Sequence, residues 1–145
     1  MSDTALRPAV VGDAADIHTL LLRHAAIIPL AVEALEQEEA LYAAIRKILA
    51  FGQSWVALDG EAIVGTVLVD SAEVGRHWGE NELLTLRYAA GDAVDALLDK
   101  VLARAVPIAT TVRETNRSGL AELLQSRGFR ESENRLGERR FRREP

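Results

Sequence analysis

The chain has 145 residues, no cysteine and a formal net charge of −5. The length predicts a single domain, residues 1–145, that buries roughly two-thirds of its unfolded surface. The missing cysteine excludes disulfides, cysteine-ligated metals and a thiol nucleophile. The acidic balance disfavours nucleic acid as a partner. Without a leader pattern or an apolar run of about 18 residues, we expect no membrane partner and a cytoplasmic location.

The first half of the chain predicts one strand and two helices. Ala5–Val11 has strand composition, and Pro8 is tolerated there if the strand lies at an edge. Asp13 is a candidate cap for a first helix that Pro29 ends or kinks. The second helix is predicted over Glu33–Ala50, with an acidic start that suits the helix dipole.

A hairpin and a strand-to-helix element follow. Ser54–Leu58 and Ala62–Val69 are rich in β-branched and aromatic residues and flank Asp59-Gly60, which is a strong hairpin signal. After a polar loop, Leu83–Tyr88 predicts a strand. Asp92 is the expected cap of an amphipathic helix that extends to Ala105.

The last third of the chain predicts a strand, a short helix and a final hairpin. Ile108–Val112 is an apolar strand after Pro107, and a helix starts at Asn116 or Ser118 and stops at Gly128. A hairpin is expected around Leu136-Gly137. Residues 135–145 hold five arginines and two glutamates, which is typical of an exposed terminal strand with a solvated edge. The resulting order, β-α-α-β-β-β-α-β-α-β-β, predicts an α+β domain: a mixed, mostly antiparallel sheet with helices on both faces.

Three stretches resemble the GCN5-related N-acetyltransferase (GNAT) family. They read LRPAVVGDAADIHTLL in the first strand and helix, SWVALDGEAIVGTVLVD in the hairpin, and NRSGLAELLQSRGFRE in the late helix that ends in Gly-Phe. Their order and spacing carry more information than any one motif. The resemblance implies the GNAT fold and an acetyl-CoA-dependent transfer to a small-molecule or protein amine. A homodimer is also possible.

In the family the fourth strand splays from the fifth, and acyl-CoA lies in the gap. The resemblance therefore implies that the cofactor-binding residues are Leu86, Arg87 and Tyr88 on the fourth strand, Gly91 before the helix, and Asn116. For Asn116 the alternative is a simple helix cap.

The segment that corresponds to the family's pyrophosphate loop departs from the family pattern in this chain. Its basic or amide position is Ala89, its two small positions are Asp92 and Val94, and the segment before the helix is short. Asp92 and Asp95 place carboxylates where a pyrophosphate would bind, and like charges repel there.

Candidate catalytic residues precede the fourth strand. Glu82 matches a family glutamate that acts as base, with a solvated carboxylate as its alternative role. His77 could accept the amine proton because its unperturbed pKa is near neutrality, or it could be an ordinary loop histidine. The general-acid tyrosine of many family members corresponds to Leu124. No metal-ligand pattern occurs.

Two functions remain open from the sequence. The first is an N-acetyltransferase that uses acetyl-CoA, with Glu82 or His77 as base. The second is a binding or interaction module that keeps the GNAT-like scaffold and has lost the acyl-CoA site, as Asp92, Val94, Leu124 and the short loop suggest.

Overall fold

A computed structural model describes residues 4–28, 38–71 and 83–145. Within those ranges the chain forms a seven-stranded sheet and four α-helices. The helices are α1 Ala14–Arg23, α2 Glu38–Phe51, α3 Val94–Leu102 and α4 Leu120–Ser126. The strands are β1 Ala5–Pro8, β2 Trp55–Asp59, β3 Ala62–Ser71, β4 Leu84–Gly91, β5 Ile108–Arg113, β6 Arg130–Arg135 and β7 Glu138–Arg143.

The strands lie in the order β1-β2-β3-β4-β5-β7-β6. Strands β4 and β5 run parallel, and the other neighbouring pairs are antiparallel. The connection from β4 to β5 passes through α3, as a crossover between parallel strands requires. The predicted order of elements and the predicted mixed sheet are therefore confirmed.

Each face of the sheet carries its own hydrophobic core. On one face, α1 and α2 pack over the central strands through Ile17, Leu21 and Ile45, with Leu68 of β3 beneath them. On the other face, α3 and α4 bury Leu97 and Leu124 against the sheet. Adjacent residues of β3 supply both cores because successive side chains of a strand point to opposite faces.

Both predicted hairpins are confirmed. Asp59 ends β2, so the two-residue turn to β3 is Gly60-Glu61, one residue later than the predicted Asp59-Gly60, and Leu136-Gly137 joins β6 to β7. Leu136 and Gly137 have φ values of 54° and 77°, the two positive values that a tight two-residue turn requires. The expectation of a solvated edge at the C-terminus is wrong for β7, which lies between β5 and β6 and buries Phe141.

Helix α1 starts directly after Asp13, as predicted, whereas the predicted capping bond of Asp13 and the predicted start of α3 are wrong. Asp13 does not cap α1 with its side chain: its carboxylate receives hydrogen bonds of 2.8 and 2.9 Å from Arg7 and one of 2.9 Å from the Val10 N–H. These hydrogen bonds, chiefly those from Arg7, hold the pKa of Asp13 below its usual value, although burial of the carboxyl group acts in the opposite direction. Helix α3 starts after Ala93, whose φ is 60°, rather than at Asp92, and ends at Leu102.

Parts of two predicted elements lie outside the described residues. These are Pro29 with the first turn of the predicted second helix, and most of the polar loop before β4. Among the described helices, none combines the length and the apolar character that crossing a bilayer requires.

Candidate active site

The central feature of the sheet is a gap between two of its middle strands. Strands β4 and β5 pair at three positions, from Leu84 with Ile108 to Leu86 with Thr110. Beyond them, β4 continues to pair with β3 as far as Gly91, and β5 continues to pair with β7 as far as Arg113. Beyond this point β4 stays paired with β3 and β5 stays paired with β7, but β4 and β5 are no longer paired with each other. Because half of the backbone groups of a strand point to each side, the facing edges present N–H and C=O groups outside the ladder.

A β-bulge lies where the strands separate. Val69 of β3 pairs with Leu86, and the preceding residue, Leu68, pairs with Tyr88, so Arg87 has no partner in the ladder. A bulge bends its strand and increases the local twist. This explains why β4 turns away from β5 immediately after Leu86.

A side chain forms a hydrogen bond at the last paired position between β4 and β5. The hydroxyl of Thr110, which is buried, donates a hydrogen bond of 2.8 Å to the carbonyl oxygen of Leu86. This bond satisfies a backbone acceptor at the point where the ladder stops. The gap begins directly beyond this bond.

The gap contains a cavity of about 200 Å³, which we call the strand cleft. Its lining combines both separated strands with the turn after α1 and the segment before α4. The lining residues are Ile28, Leu86, Arg87, Tyr88, Ala89, Thr110, Thr111, Arg113, Asn116 and Leu120. Four of the five cofactor-binding candidates, namely Leu86, Arg87, Tyr88 and Asn116, thus come together in one cavity.

Asn116 is held in place by local bonds. Its side-chain oxygen accepts hydrogen bonds from the N–H and the hydroxyl of Ser118, at 2.9 and 2.6 Å. Helix α4 begins only at Leu120, after Gly119 at φ 80°, so neither Asn116 nor Ser118 starts it. The alternative role of Asn116 as a helix cap is therefore wrong. Because the side-chain oxygen is occupied, the amide N–H₂ is the part of the side chain with donors left for a ligand.

A second cavity, of about 430 Å³, adjoins the strand cleft and reaches the start of α3; we call it the helix-start cavity. It shares Ile28, Ala89 and Leu120 with the strand cleft, and it also contains Gly91, the fifth cofactor-binding candidate. Arg117 lines its far side, and the N–H of Arg117 donates a 2.9 Å hydrogen bond to the carbonyl of Ile27. That bond ties the segment before α4 to the turn after α1.

The junction between β4 and α3 is short and tightly packed. Only Asp92 and Ala93 separate the two elements, which confirms the short loop expected from the sequence. The N–H of Asp92 donates a 2.8 Å hydrogen bond to the carbonyl of Val64, so it is not available to a ligand. Gly65 lies directly against the backbone of Asp92, where any added side chain would collide with the Asp92 carbonyl oxygen. The exposed Asp92 carboxylate also lines the helix-start cavity.

The remaining expectations have different outcomes. Glu82 and His77 lie outside the described residues, so their catalytic roles stay predictions. Leu124 is fully buried in the core, and that position offers no proton donor to the strand cleft. Within the described ranges, no cluster of three or more His, Asp or Glu residues has a geometry that could hold a metal ion. Sequence reasoning missed Thr110, since no local pattern shows that two strands separate beside it.

The described residues form a mixed sheet with helices on both faces and a central parallel pair that separates into a cleft, which is the architecture of the GNAT fold. Solved structures show the same fold over nearly the whole chain. The Drosophila melanogaster polyamine N-acetyltransferase aligns with a TM-score of 0.76 at 16% identity, covering 99% of this chain and 100% of that one. No protein-family model and no curated relative matches the sequence.

Two further structures with this fold were solved with coenzyme A. One is the PaiA N-acetyltransferase of Thermoplasma acidophilum, with a TM-score of 0.70, 11% identity and 99% of each chain covered. The other is the diaminobutyrate acetyltransferase EctA of Paenibacillus lautus, also with its substrate L-2,4-diaminobutyric acid; its TM-score is 0.72 at 14% identity, covering 100% of this chain and 96% of that one. The chain therefore has the GNAT fold, as the sequence motifs predicted.

Proposed function

We propose that the protein is an N-acetyltransferase that moves an acetyl group from acetyl-CoA to an amine. The observation that carries this proposal is the separation of β4 from β5 after three paired positions, with the bulge at Arg87 beside it. The cleft offers two facing rows of backbone groups, which suit the amides of an extended pantetheine arm in the way an added strand would. Such binding needs no particular side chain.

The acetyl donor would enter along the two adjoining cavities. Leu86, Arg87 and Tyr88 would hold the pantetheine through their backbone, and the amide N–H₂ of Asn116 would donate to it from the opposite wall. Gly91 would border the donor at the helix-start cavity. The residues of the strand cleft fit this substrate, whereas the carboxylate of Asp92 does not favour its pyrophosphate.

The proposed reaction transfers the acetyl group directly. The nitrogen of a neutral amine attacks the thioester carbonyl carbon, a C–N bond forms and the C–S bond breaks. The proton lost by the nitrogen passes to a base, for which Glu82 and His77 are our candidates, and the departing thiolate takes up a proton from water. General-base assistance of this kind contributes typically about 10²–10⁴-fold to the rate.

The alternative, a binding module that has lost the acyl-CoA site, is less favoured. The features that suggested this alternative are Asp92, Val94, Leu124 and the short loop. Each of them concerns either the binding of the pyrophosphate or the general acid. The strand cleft is a separate feature. Loss of a phosphate-binding loop lowers the affinity for acetyl-CoA without closing the cleft.

Calorimetric titration of the full chain with acetyl-CoA tests the proposal. We expect a dissociation constant in the micromolar range and weaker binding of acetyl-pantetheine, which lacks the nucleotide. Release of the CoA thiol in the presence of an amine then measures turnover, and the cysteine-free chain adds no background to a thiol reagent. Absence of binding at hundreds of micromolar would rule the acetyltransferase out.

A further inference from the structure

The strand cleft carries positive charge on a protein that is acidic overall. Arg87 and Arg113 both line it, and none of its described lining residues is acidic. Both side chains are exposed, and neither forms an ion pair with any residue in the described ranges. Two guanidinium groups that face one cavity and have no ion-pair partner among the described residues are placed to receive an anion.

The two arginines belong to the same side of the sheet. Val112 is buried in the core beneath α3 and α4, so the exposed neighbour Arg113 points to the opposite face. On β4, Leu86 and Ala89 belong to that same core, and the bulge residues between them lie toward the other face, where Tyr88 packs beside α1 and α2. The arginines therefore flank the cleft on the α1 and α2 side.

The neighbouring strand adds basic and acidic residues to the face that carries Arg113. Arg140 and Arg142 of β7 alternate with the buried Phe141, and they pair in register with Thr111 and Ala109 of β5. They therefore share a face with Arg113. Acidic residues are present as well: Arg142 bonds Glu144 at 2.6 Å, and Glu138 is the register partner of Arg113 without an ion pair to it. The charges of β7 on this face are therefore mixed, and the anion site is assigned to Arg87 and Arg113, which line the strand cleft.

The position of the positive charge separates two possible ligands. The nucleotide of an acetyl donor would lie toward the helix-start cavity, where Arg117 is the basic residue and Asp92 the acidic one. Arg87 and Arg113 instead lie at the strand cleft, where the reacting thioester and the acceptor would meet. A cationic polyamine would be repelled there by the same charges that would attract a carboxylate.

We infer that the acceptor is a small amine that also carries a carboxylate, bound by Arg87 and Arg113 on the α1 and α2 side of the strand cleft. This inference rests on the proposed acetyltransferase activity and specifies its substrate class. The carboxylate would dock on the guanidinium groups, and its amine would face the cleft. Each arginine acts in positioning and takes no part in the transfer itself.

Matched pairs of acceptors test the inference at saturating acetyl-CoA. Each free amino acid is compared with its carboxamide, and putrescine serves as the cationic amine. A carboxamide keeps the amine and the side chain but lacks the anion, and its amine is more often neutral at pH 7. For the preferred acceptor, we expect kcat/KM of the free amino acid to be at least tenfold higher than that of its carboxamide, although a smaller fraction of the amino acid has a neutral amine at pH 7.

Substitutions locate the effect. R87Q and R113Q should each raise KM for the preferred carboxylate about tenfold and should raise KM for its carboxamide far less, so that the preference for the carboxylate is lost. The control is R46Q, which removes an exposed arginine from α2. The double variant R87E and R113E should reverse the preference toward putrescine.

The outcomes separate the two proposals. If acetyl-CoA does not bind, both the acetyltransferase and its acceptor class are wrong. If acetyl-CoA binds and carboxamides or putrescine react as well as carboxylates, the enzyme stands and the acceptor class is wrong. A loss of acetyl-CoA affinity in R87Q or R113Q, with an unchanged acceptor KM, would assign the arginines to the donor instead. Binding of acetyl-CoA without transfer to any amine would also overturn the inference.

Discussion

The hydroxyl of Thr110 donates a 2.8 Å hydrogen bond to the carbonyl of Leu86 at the last paired position between β4 and β5. The two residues therefore mark the inner end of the strand cleft. A buried carbonyl at the end of a ladder needs a partner, and here a side chain of the departing strand supplies it. The proposed donor site and the stability of the sheet thus depend on the same contact.

Replacing Thr110 by valine removes this donor and keeps the shape of the side chain. We expect the free energy of unfolding to fall by about 1–3 kcal/mol, because the Leu86 carbonyl is left buried without a partner. Urea denaturation measures the change. T110S keeps the hydroxyl and should retain the hydrogen bond, and T111V alters an exposed neighbour and should change stability by less than about 0.5 kcal/mol. Equal stability of T110V and the parent chain would show that the bond contributes nothing.

The contact between Gly65 and Asp92 should not tolerate a side chain. In G65A the new methyl group would meet the carbonyl oxygen of Asp92, so β3 or the start of α3 must move. We expect a loss of about 1–3 kcal/mol, as for overpacked cores, measured by urea denaturation. G12A is the matched control because nothing lies within 4 Å of the added atom. A parent-like stability of G65A would mean that the junction shifts freely.

The ion pair between Arg7 and Asp13 should make the free energy of unfolding depend on pH in the acidic range. The folded state lowers the pKa of Asp13, chiefly through the hydrogen bonds from Arg7. The stabilisation is therefore present above the unfolded pKa of about 3.9 and is lost as the pH falls through the lower folded value. We expect D13N to be less stable than the parent by about 1–2 kcal/mol at pH 7, a modest value because Arg7 is partly exposed.

Denaturation of the parent and D13N between pH 7 and pH 2 measures that dependence. The difference between them should hold from neutral pH down to about pH 5 and shrink below about pH 4. D16N, an exposed change on α1, is the control and should show neither the loss nor the trend. A D13N difference that is the same at every pH would contradict the role assigned to the charge.

The carboxylate of Asp92 should weaken the binding of acetyl-CoA. Like charges about 4 Å apart repel by about 1 kcal/mol in water, so D92N should strengthen binding several-fold. The gain should be largest at low salt, since ions screen exposed charges. Calorimetry of D92N beside D59N, which changes an exposed carboxylate at the end of β2, measures it. Unchanged affinity in D92N would show that the short junction limits binding rather than the charge.

The sequence predicted those elements that depend on neighbouring residues. The hairpins near Asp59-Gly60 and at Leu136-Gly137 were recognisable because few residues adopt the backbone angles of such turns. Helix starts were less predictable. Asp92 and Asn116 have good capping side chains, yet α3 and α4 begin after Ala93 and Gly119, where the sheet delivers the chain.

The tertiary structure brings together residues that are distant in the chain, and no local sequence pattern predicted these contacts. Thr110 has no motif of its own, and it matters because β5 leaves β4 beside Leu86. The C-terminal strand had the composition of an edge, yet it lies inside the sheet because β6 pairs outside it.

By itself, the sequence determined the order of helices and strands, both hairpins, the resemblance to the GNAT fold and the set Leu86, Arg87, Tyr88 and Asn116. The order of the elements and the hairpins follow from spacing, composition and turn chemistry, which act over a few residues, whereas the set of cleft residues was implied by the resemblance to the GNAT family. Only the tertiary structure decided where β4 and β5 separate and which charges face the cleft. Those features depend on one bulge at Arg87 and one side-chain bond from Thr110, and both exist only once distant strands have paired.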